Sequence, residues 1–364
     1  MTGIFKSVRF RFRNPPSHPH PNPTAMKATA LVCTQDQRFA LLPVSLPDPG
    51  PGEVSIRTLF SGVSVGTEFA LVRNKISWGP FPIVTGYMGA GVVERVGEGV
   101  SGFAPGDTVY YRGSKNMALD DGTAVSAVSG VHCTHAVTAV GGTHGIAKVP
   151  DGVDPAVAAT FVMPAVALHG VDKSGARVGQ VALVHGCGPI GLGVVAMLAQ
   201  RGCVVVAADL DESRLAMARS FGAAATLAGG EGLADRARPL FPEGAEGFDL
   251  VFECTGLWPC VRPAMELCRV HGTFVWQGNY GAAPYPFEFL VPHNRQLEMK
   301  FPCDDGYAPC RAAVLRQIAA GLLPWERAIS HRLSAAEAPD FFDRVNRGAV
   351  SGLVSAVVDW RAAE

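Results

Sequence analysis

The stretch Val181-Ala-Leu-Val-His-Gly-Cys-Gly-Pro-Ile-Gly191 decides how the rest of the chain is read. It opens with an apolar run short enough for a buried strand, and Gly186, Gly188 and Gly191 follow at once. Val194, Val195, Met197 and Leu198 then recur at helical spacing. A strand that turns through glycines into a helix lets the backbone approach a pyrophosphate, which the first amides of the helix hold. Cys187, Pro189 and Ile190 belong to the same loop. A second apolar run, Cys203 to Ala208, ends in Asp209, near the place where a ribose-binding carboxylate is expected. GxGxxG alone also occurs in ordinary tight turns. Strand, glycines, helix, second strand and terminal acid together predict a dinucleotide site.

At 364 residues the chain is long enough for two domains with full cores. Hydrophobic residues make up 48% of it and the formal net charge is -1, so there is no electrostatic ground for binding nucleic acid or an anionic membrane. No uninterrupted apolar span nears the ~20 residues that cross a bilayer. The nine cysteines contain no CxxC pair and are expected to be reduced and mostly buried, as in a cytoplasmic protein. The first 25 residues differ: Lys6, Arg9, Arg11 and Arg13 precede a Pro/His tail, with no acid and no apolar centre. That composition excludes a secretory signal and predicts disorder. A basic arm also fits targeting or anion binding; an unstructured leader before a natural start at Met26 is the simpler reading.

From Met26 the pattern is short and β-like. Residues 26–33, 50–57, 91–100 and 103–110 read as strands broken by Gly and Pro, which suggests a small barrel-like β domain. From Pro155 an Ala-rich helix is expected to run to about Val171, and strands and helices then alternate to about Phe301. That alternation marks a parallel sheet with crossover helices. Residues 248–256 and 272–278 read as further buried strands ending in glycine turns. Ligands in open parallel sheets lie beyond the carboxyl ends of the strands. Thr255, Gly256, Gly278 and Asn279 are therefore candidate walls of the cofactor pocket, although each also fits an ordinary turn.

The chain resembles the medium-chain dehydrogenase/reductase superfamily, the zinc alcohol and sorbitol dehydrogenase relatives. The resemblance rests on Pro51-Gly-Glu-Val, Ser61-Gly-Val-Ser, Thr85-Gly-Tyr-Met-Gly-Ala-Gly, Gly102-Phe-Ala-Pro-Gly-Asp-Thr-Val, the Gly186 loop and Phe252-Glu-Cys-Thr-Gly. The tail Ile329-Ser-His-Arg-Leu with Ala335-Ala-Glu-Ala-Pro completes the order. It implies an α/β protein, with a GroES-like β-rich catalytic domain (26–158 and 301–364) and a doubly wound parallel-sheet Rossmann domain (159–300) inserted. It also implies a nicotinamide cofactor in the cleft and a homodimer or homotetramer. Locally, Ser64-Val-Gly-Thr-Glu68 is also similar to the bacteriochlorophyllide hydroxyethyl dehydrogenase branch.

In zinc-dependent relatives the metal ligands fall at places matching Ser64, Tyr87, Met88 and Met163 here. A hydroxyl, a phenol and two thioethers are not the N/S/O set that zinc takes. The resemblance also includes a four-cysteine zinc lobe, and the segment from Tyr110 to Cys133 lacks it. No metal is expected at either site. His132 and His135 lie three apart in a strand-like alternation and so face opposite sides, which argues against a shared ion.

Without zinc, a hydrogen-bond donor must stabilise the developing alkoxide. Tyr87 takes the place of the family's His ligand and is the first candidate; filling the vacated volume is its alternative role. A phenol titrates near 10, so it serves as a base only beside a group that lowers its pKa. Thr67 is a candidate proton relay, Glu68 a substrate contact or loop holder, and His169 a relay or cofactor contact. Trp78, Phe81, Tyr110, Trp276 and Tyr280 are candidates for lining the substrate pocket. Asp209 favours NAD, since its charge repels a 2′-phosphate; Arg214 suits adenine stacking or phosphate, which keeps NADP open.

The leading expectation is a zinc-independent, NAD-dependent oxidoreductase for a small-molecule secondary alcohol or ketone, such as a sugar, polyol or cyclitol. An NADPH-dependent enone or quinone reductase is the second reading. A nucleotide-binding protein with vestigial catalysis is the third.

Overall fold

The computed structural model describes residues 25–363 except Thr143, Ala282, Ala283 and Gly306. The basic leader lies outside the described residues but for its last one. Among the described residues, no helix is long and apolar enough to cross a membrane.

The Val181–His185 strand sits inside a six-stranded sheet. Its spatial order runs Ala225–Ala228, Val204–Asp209, Val181–His185, Phe248–Glu253, Cys268–Trp276, Glu298–Lys300, and every pairing is parallel. Leu183 and Val184 are fully buried but face different core clusters, which is why the run is continuously apolar. Gly186 turns at φ 96, and Pro189 occupies the start of the helix Pro189–Gln200, where a missing N–H costs nothing. Strand order reverses between Val181–His185 and Phe248–Glu253. A crevice for a ligand opens at such a switch point.

The β-rich part holds a closed barrel of five short strands and a second, seven-stranded sheet. In that sheet Glu53–Val63 pairs with Gly89–Val96 on one side and with the C-terminal strand Ser355–Asp359 on the other. Segments on either side of the inserted parallel sheet therefore build one sheet.

The Ala-rich segment after Pro155 is two helices, Pro155–Ala158 and Val162–Ser174, where one continuous helix was expected. Pro164 explains the break: it has no N–H to donate and is tolerated in the first turn of a helix, not inside one. The second helix passes Val171 and stops at Gly175, which is left-handed at φ 69. The expected strand over 91–100 ends at Val96, before the left-handed Gly99.

Candidate active site

Ser64 ends the Glu53–Val63 strand and stands before the helix Val65–Val72. Its hydroxyl does not cap that helix. It lies 2.6 Å from the Tyr87 hydroxyl. Tyr87 is partly buried, and loss of solvation is the main cause that raises its phenol above the usual 10. Hydrogen bonds from Ser64 and Thr67 pull the other way, Glu68 raises it further, and Arg112 lowers it. Arg112 is the cation that the sequence did not identify: its guanidinium lies 5.4 Å from the centre of the Tyr87 ring. The net direction is upward. The phenol therefore holds its proton through neutral pH, and suits a donor rather than a base.

Arg112 is fixed from behind. It donates to Asp304 at 2.9 Å and to Asp305 at 3.1 Å, and Arg311 grips Asp305 through two bonds of 2.6 and 2.9 Å. The Arg112 Nε is buried with no hydrogen-bond partner among the described residues. His169, partly buried on the helix Val162–Ser174, is joined to this cluster by a 3.2 Å bond from Nδ1 to the Asp304 carbonyl. It shares in positioning the acids that hold Arg112. Arg112, Asp304 and Arg311 were missed in the sequence. The signal is a register that only pairing reveals: Gly89 faces Tyr111, which sets Arg112 beside the residues before Gly89.

Of the two roles expected for Glu68, substrate contact or loop holder, its contacts are those of the second. It is fully buried and both its oxygens are taken. One accepts the Ser64 amide at 2.6 Å; the other accepts the Thr85 hydroxyl at 2.7 Å and faces the His132 Nε2 at 2.8 Å. His132 Nδ1 meets the Ser61 hydroxyl at 2.7 Å, and that oxygen also takes the Trp360 indole N–H at 2.7 Å. With the imidazole proton on Nε2, every donor in the chain has an acceptor. Glu68 is thus a positioning residue, holding the Ser64 backbone and the strand before Tyr87. His132 and His135 part company: the first is sealed in this chain, and the second lies 3.5 Å from Glu94.

Met88 and Met163 are buried in the main apolar core. With Ser64 and Tyr87 bonded to each other, this donor set does not fit zinc. Tyr110 and Trp276 are packing residues, Tyr110 edge-on to Phe161 at 4.4 Å and Trp276 within an aromatic group. Trp78 is exposed, and Phe81 packs on the Phe69–Phe342 core.

At the crevice, a side chain on Gly191 would overlap the Gly186 carbonyl at 1.9 Å, while nothing lies within 4 Å of one on Gly188. That is a tight turn with an open face at a helix start, and it fits a pyrophosphate. Asp209 accepts from the Cys187 amide at 2.7 Å and from the Asp211 amide at 3.0 Å, so its carboxylate is fixed beside the loop. The Cys187 side chain is buried in the main core, and burial pushes its thiol up to about 12. Ile190 likewise packs on the core. Arg214 reaches back to the Leu353 carbonyl at 3.2 Å. Thr255 spends its amide and hydroxyl on Glu253. Gly256 and Gly278 pack against each other: a side chain on Gly278 would come within 2.6 Å of the Gly256 amide. Asn279 caps its own turn by accepting from Gly281 at 2.8 Å.

Comparison with known proteins identifies the family. Residues 50–152 match the alcohol dehydrogenase GroES-like domain and residues 189–313 the zinc-binding dehydrogenase domain. An L-threonine 3-dehydrogenase of Bacillus velezensis is 32% identical over 68% of this chain and 75% of its own length. The chain belongs to the medium-chain dehydrogenase/reductase superfamily. The chain is also 28% identical to the 5-exo-hydroxycamphor dehydrogenase of Pseudomonas putida, over 91% of this chain and 98% of that one. A D-xylulose reductase of Saccharomyces cerevisiae is 27% identical over 87% and 94%. Among solved structures, the alcohol dehydrogenase of Thermus sp. ATN1 superposes with TM-score 0.77 at 24% identity, covering 91% of this chain and 99% of that chain. The enzyme is an oxidoreductase with a nicotinamide-type cofactor domain and a small-molecule substrate.

Proposed function

We propose that this oxidoreductase interconverts a secondary alcohol and its ketone, of sugar, polyol or cyclitol type, with NAD and without zinc. The observation that carries the reading is the 2.6 Å Ser64–Tyr87 hydroxyl pair under the Arg112 guanidinium, at the place where zinc relatives bind metal. The polyol reading draws on the similarity to D-xylulose reductase and D-altritol 5-dehydrogenase. The cofactor would lie along the Gly186–Gly191 turn, between a unit of residues 159–300 and the rest of the chain.

When bound, the nicotinamide supplies or accepts the hydride. In the reducing direction Tyr87 donates its proton to the carbonyl oxygen as that oxygen gains charge. Ser64 supports the phenolic oxygen left behind, and a proton from solvent restores Tyr87 through the Ser64 and Thr67 hydroxyls. Arg112 lends its charge to the same phenolate. Oxidation runs the same steps in reverse. Asp209 disfavours a 2′-phosphate and supports NAD over NADP.

The test is a screen of chelator-treated protein with NAD and polyols or secondary alcohols, and with NADPH and enones. NADH formation from alcohols supports the proposal. NADPH consumption with enones alone overturns it.

A further inference from the structure

His185 and Glu253 end neighbouring parallel strands and stand opposite each other in register. Cys260 reaches the same spot from the helix Trp258–Glu266. One nitrogen, one carboxylate oxygen and one sulfur there all lie within 4.8 Å of one another. His185 is 7% exposed and Glu253 is 0% exposed. The His185 Nδ1 is buried without a hydrogen-bond partner, and among the described residues no ion pair joins His185 to Glu253. A buried polar atom left unpaired costs stability, and a core that needed only apolar filling would place a hydrocarbon side chain there.

We propose that His185, Glu253 and Cys260 form a binding site for one zinc-type divalent cation, separate from the Ser64–Tyr87 hydroxyl pair. A neutral imidazole, a carboxylate and a thiolate are ligands that zinc takes, and the two anions balance its charge. Binding releases the Cys260 thiol proton to solvent as the sulfur–metal bond forms. Tetrahedral bonds of about 2.0–2.3 Å place ligand atoms about 3.3–3.8 Å apart, so the three groups need to close by about 1 Å. Cys260 is the partly buried member of the three, and the closing movement falls to its side chain. One Glu253 oxygen already accepts from the Thr255 amide and hydroxyl and the other from the Tyr280 hydroxyl, so the carboxylate would share an oxygen with the ion. Such an ion would pin the helix Trp258–Glu266 to two strand ends and brace the turn bearing Thr255 and Gly256. The metal is structural in this account, so it does not depend on the proposed reaction.

Cobalt(II) is the probe, titrated into metal-stripped full-length protein. The expected result is one ion per chain with a thiolate-to-cobalt charge-transfer band. Cys260→Ser should abolish the band, and Cys260→Ser and His185→Phe should each weaken binding by at least about tenfold. Ser64→Ala and Tyr87→Phe should leave both unchanged. Thermal melts of all four variants establish folding, and Cys260→Ser is close to isosteric. Absence of the band in wild-type protein, its persistence in Cys260→Ser, or its loss in Ser64→Ala would overturn the site. Loss in Ser64→Ala would also sink the zinc-free reading of the reaction; the other two outcomes leave that reading intact.

Discussion

The Arg112 guanidinium sits 5.4 Å from the centre of the Tyr87 ring, with its charge held by Asp304 at 2.9 Å and Asp305 at 3.1 Å. Substituting Arg112→Met should do two separable things. It removes one charged hydrogen bond to partly buried Asp304 and one to buried Asp305, and so lowers stability by about 1.5–3 kcal/mol, with Arg311 still holding Asp305 and His144 still near Asp304. It also removes the cation that lowers the Tyr87 pKa, so the alkaline limb of carbonyl reduction should move to higher pH while kcat falls. Denaturant melts and a pH–rate profile read the two effects apart.

Glu68→Gln keeps volume but replaces one acceptor with a donor, among three donors that converge on that carboxylate. One buried donor then has no partner. The expected loss is about 1–3 kcal/mol of stability, with kcat reduced more than the KM for substrate changes, because Ser64 shifts and the substrate pocket does not. A kcat equal to wild type would show that the Ser64 backbone does not need Glu68.

How much of this was legible in the sequence depends on the range of the interaction. The Gly186 loop, Asp209 and the alternation after Val181 are local patterns, each read within a few residues. The β-rich part was legible as a class but not in register. The Tyr87–Arg112 approach follows from the pairing of Gly89 with Tyr111, and the Trp360–Ser61 bond joins the two ends of the chain. Neither leaves a trace in spacing. Glu68 was read as a loop holder or a substrate contact, and what settles between them is burial, which depends on His132 and Thr85 arriving from separate segments.

Alkaline pH should destabilise the protein. The buried thiols of Cys33, Cys133, Cys187 and Cys268 are pushed up to about 12 from 9.0, and burial also raises the phenols of Tyr87, Tyr110 and Tyr111. The unfolded chain gives up these protons from about pH 9, whereas the folded chain keeps them. Stability conferred by the neutral groups is therefore complete below pH 9 and is lost as pH rises toward 12. Melting temperature should be level from pH 7 to 8.5 and fall steadily above it. A constant melting temperature through pH 11 contradicts the burial argument.

Asp209→Gly removes the charge proposed to repel a 2′-phosphate and also frees the Cys187 and Asp211 amides. The ratio of kcat/KM with NADPH to that with NADH should rise by about tenfold or more, equivalent to roughly 1.4 kcal/mol. An unchanged ratio would place the ribose elsewhere.

The turnover of Tyr87→Phe in reduction of a secondary ketone by NADH tests the hydroxyl-pair account most directly. The account predicts a fall in kcat of about 10²–10⁴, the usual worth of a positioned proton donor, with NADH affinity unchanged. A Tyr87→Phe enzyme that turns over as fast as wild type would contradict it.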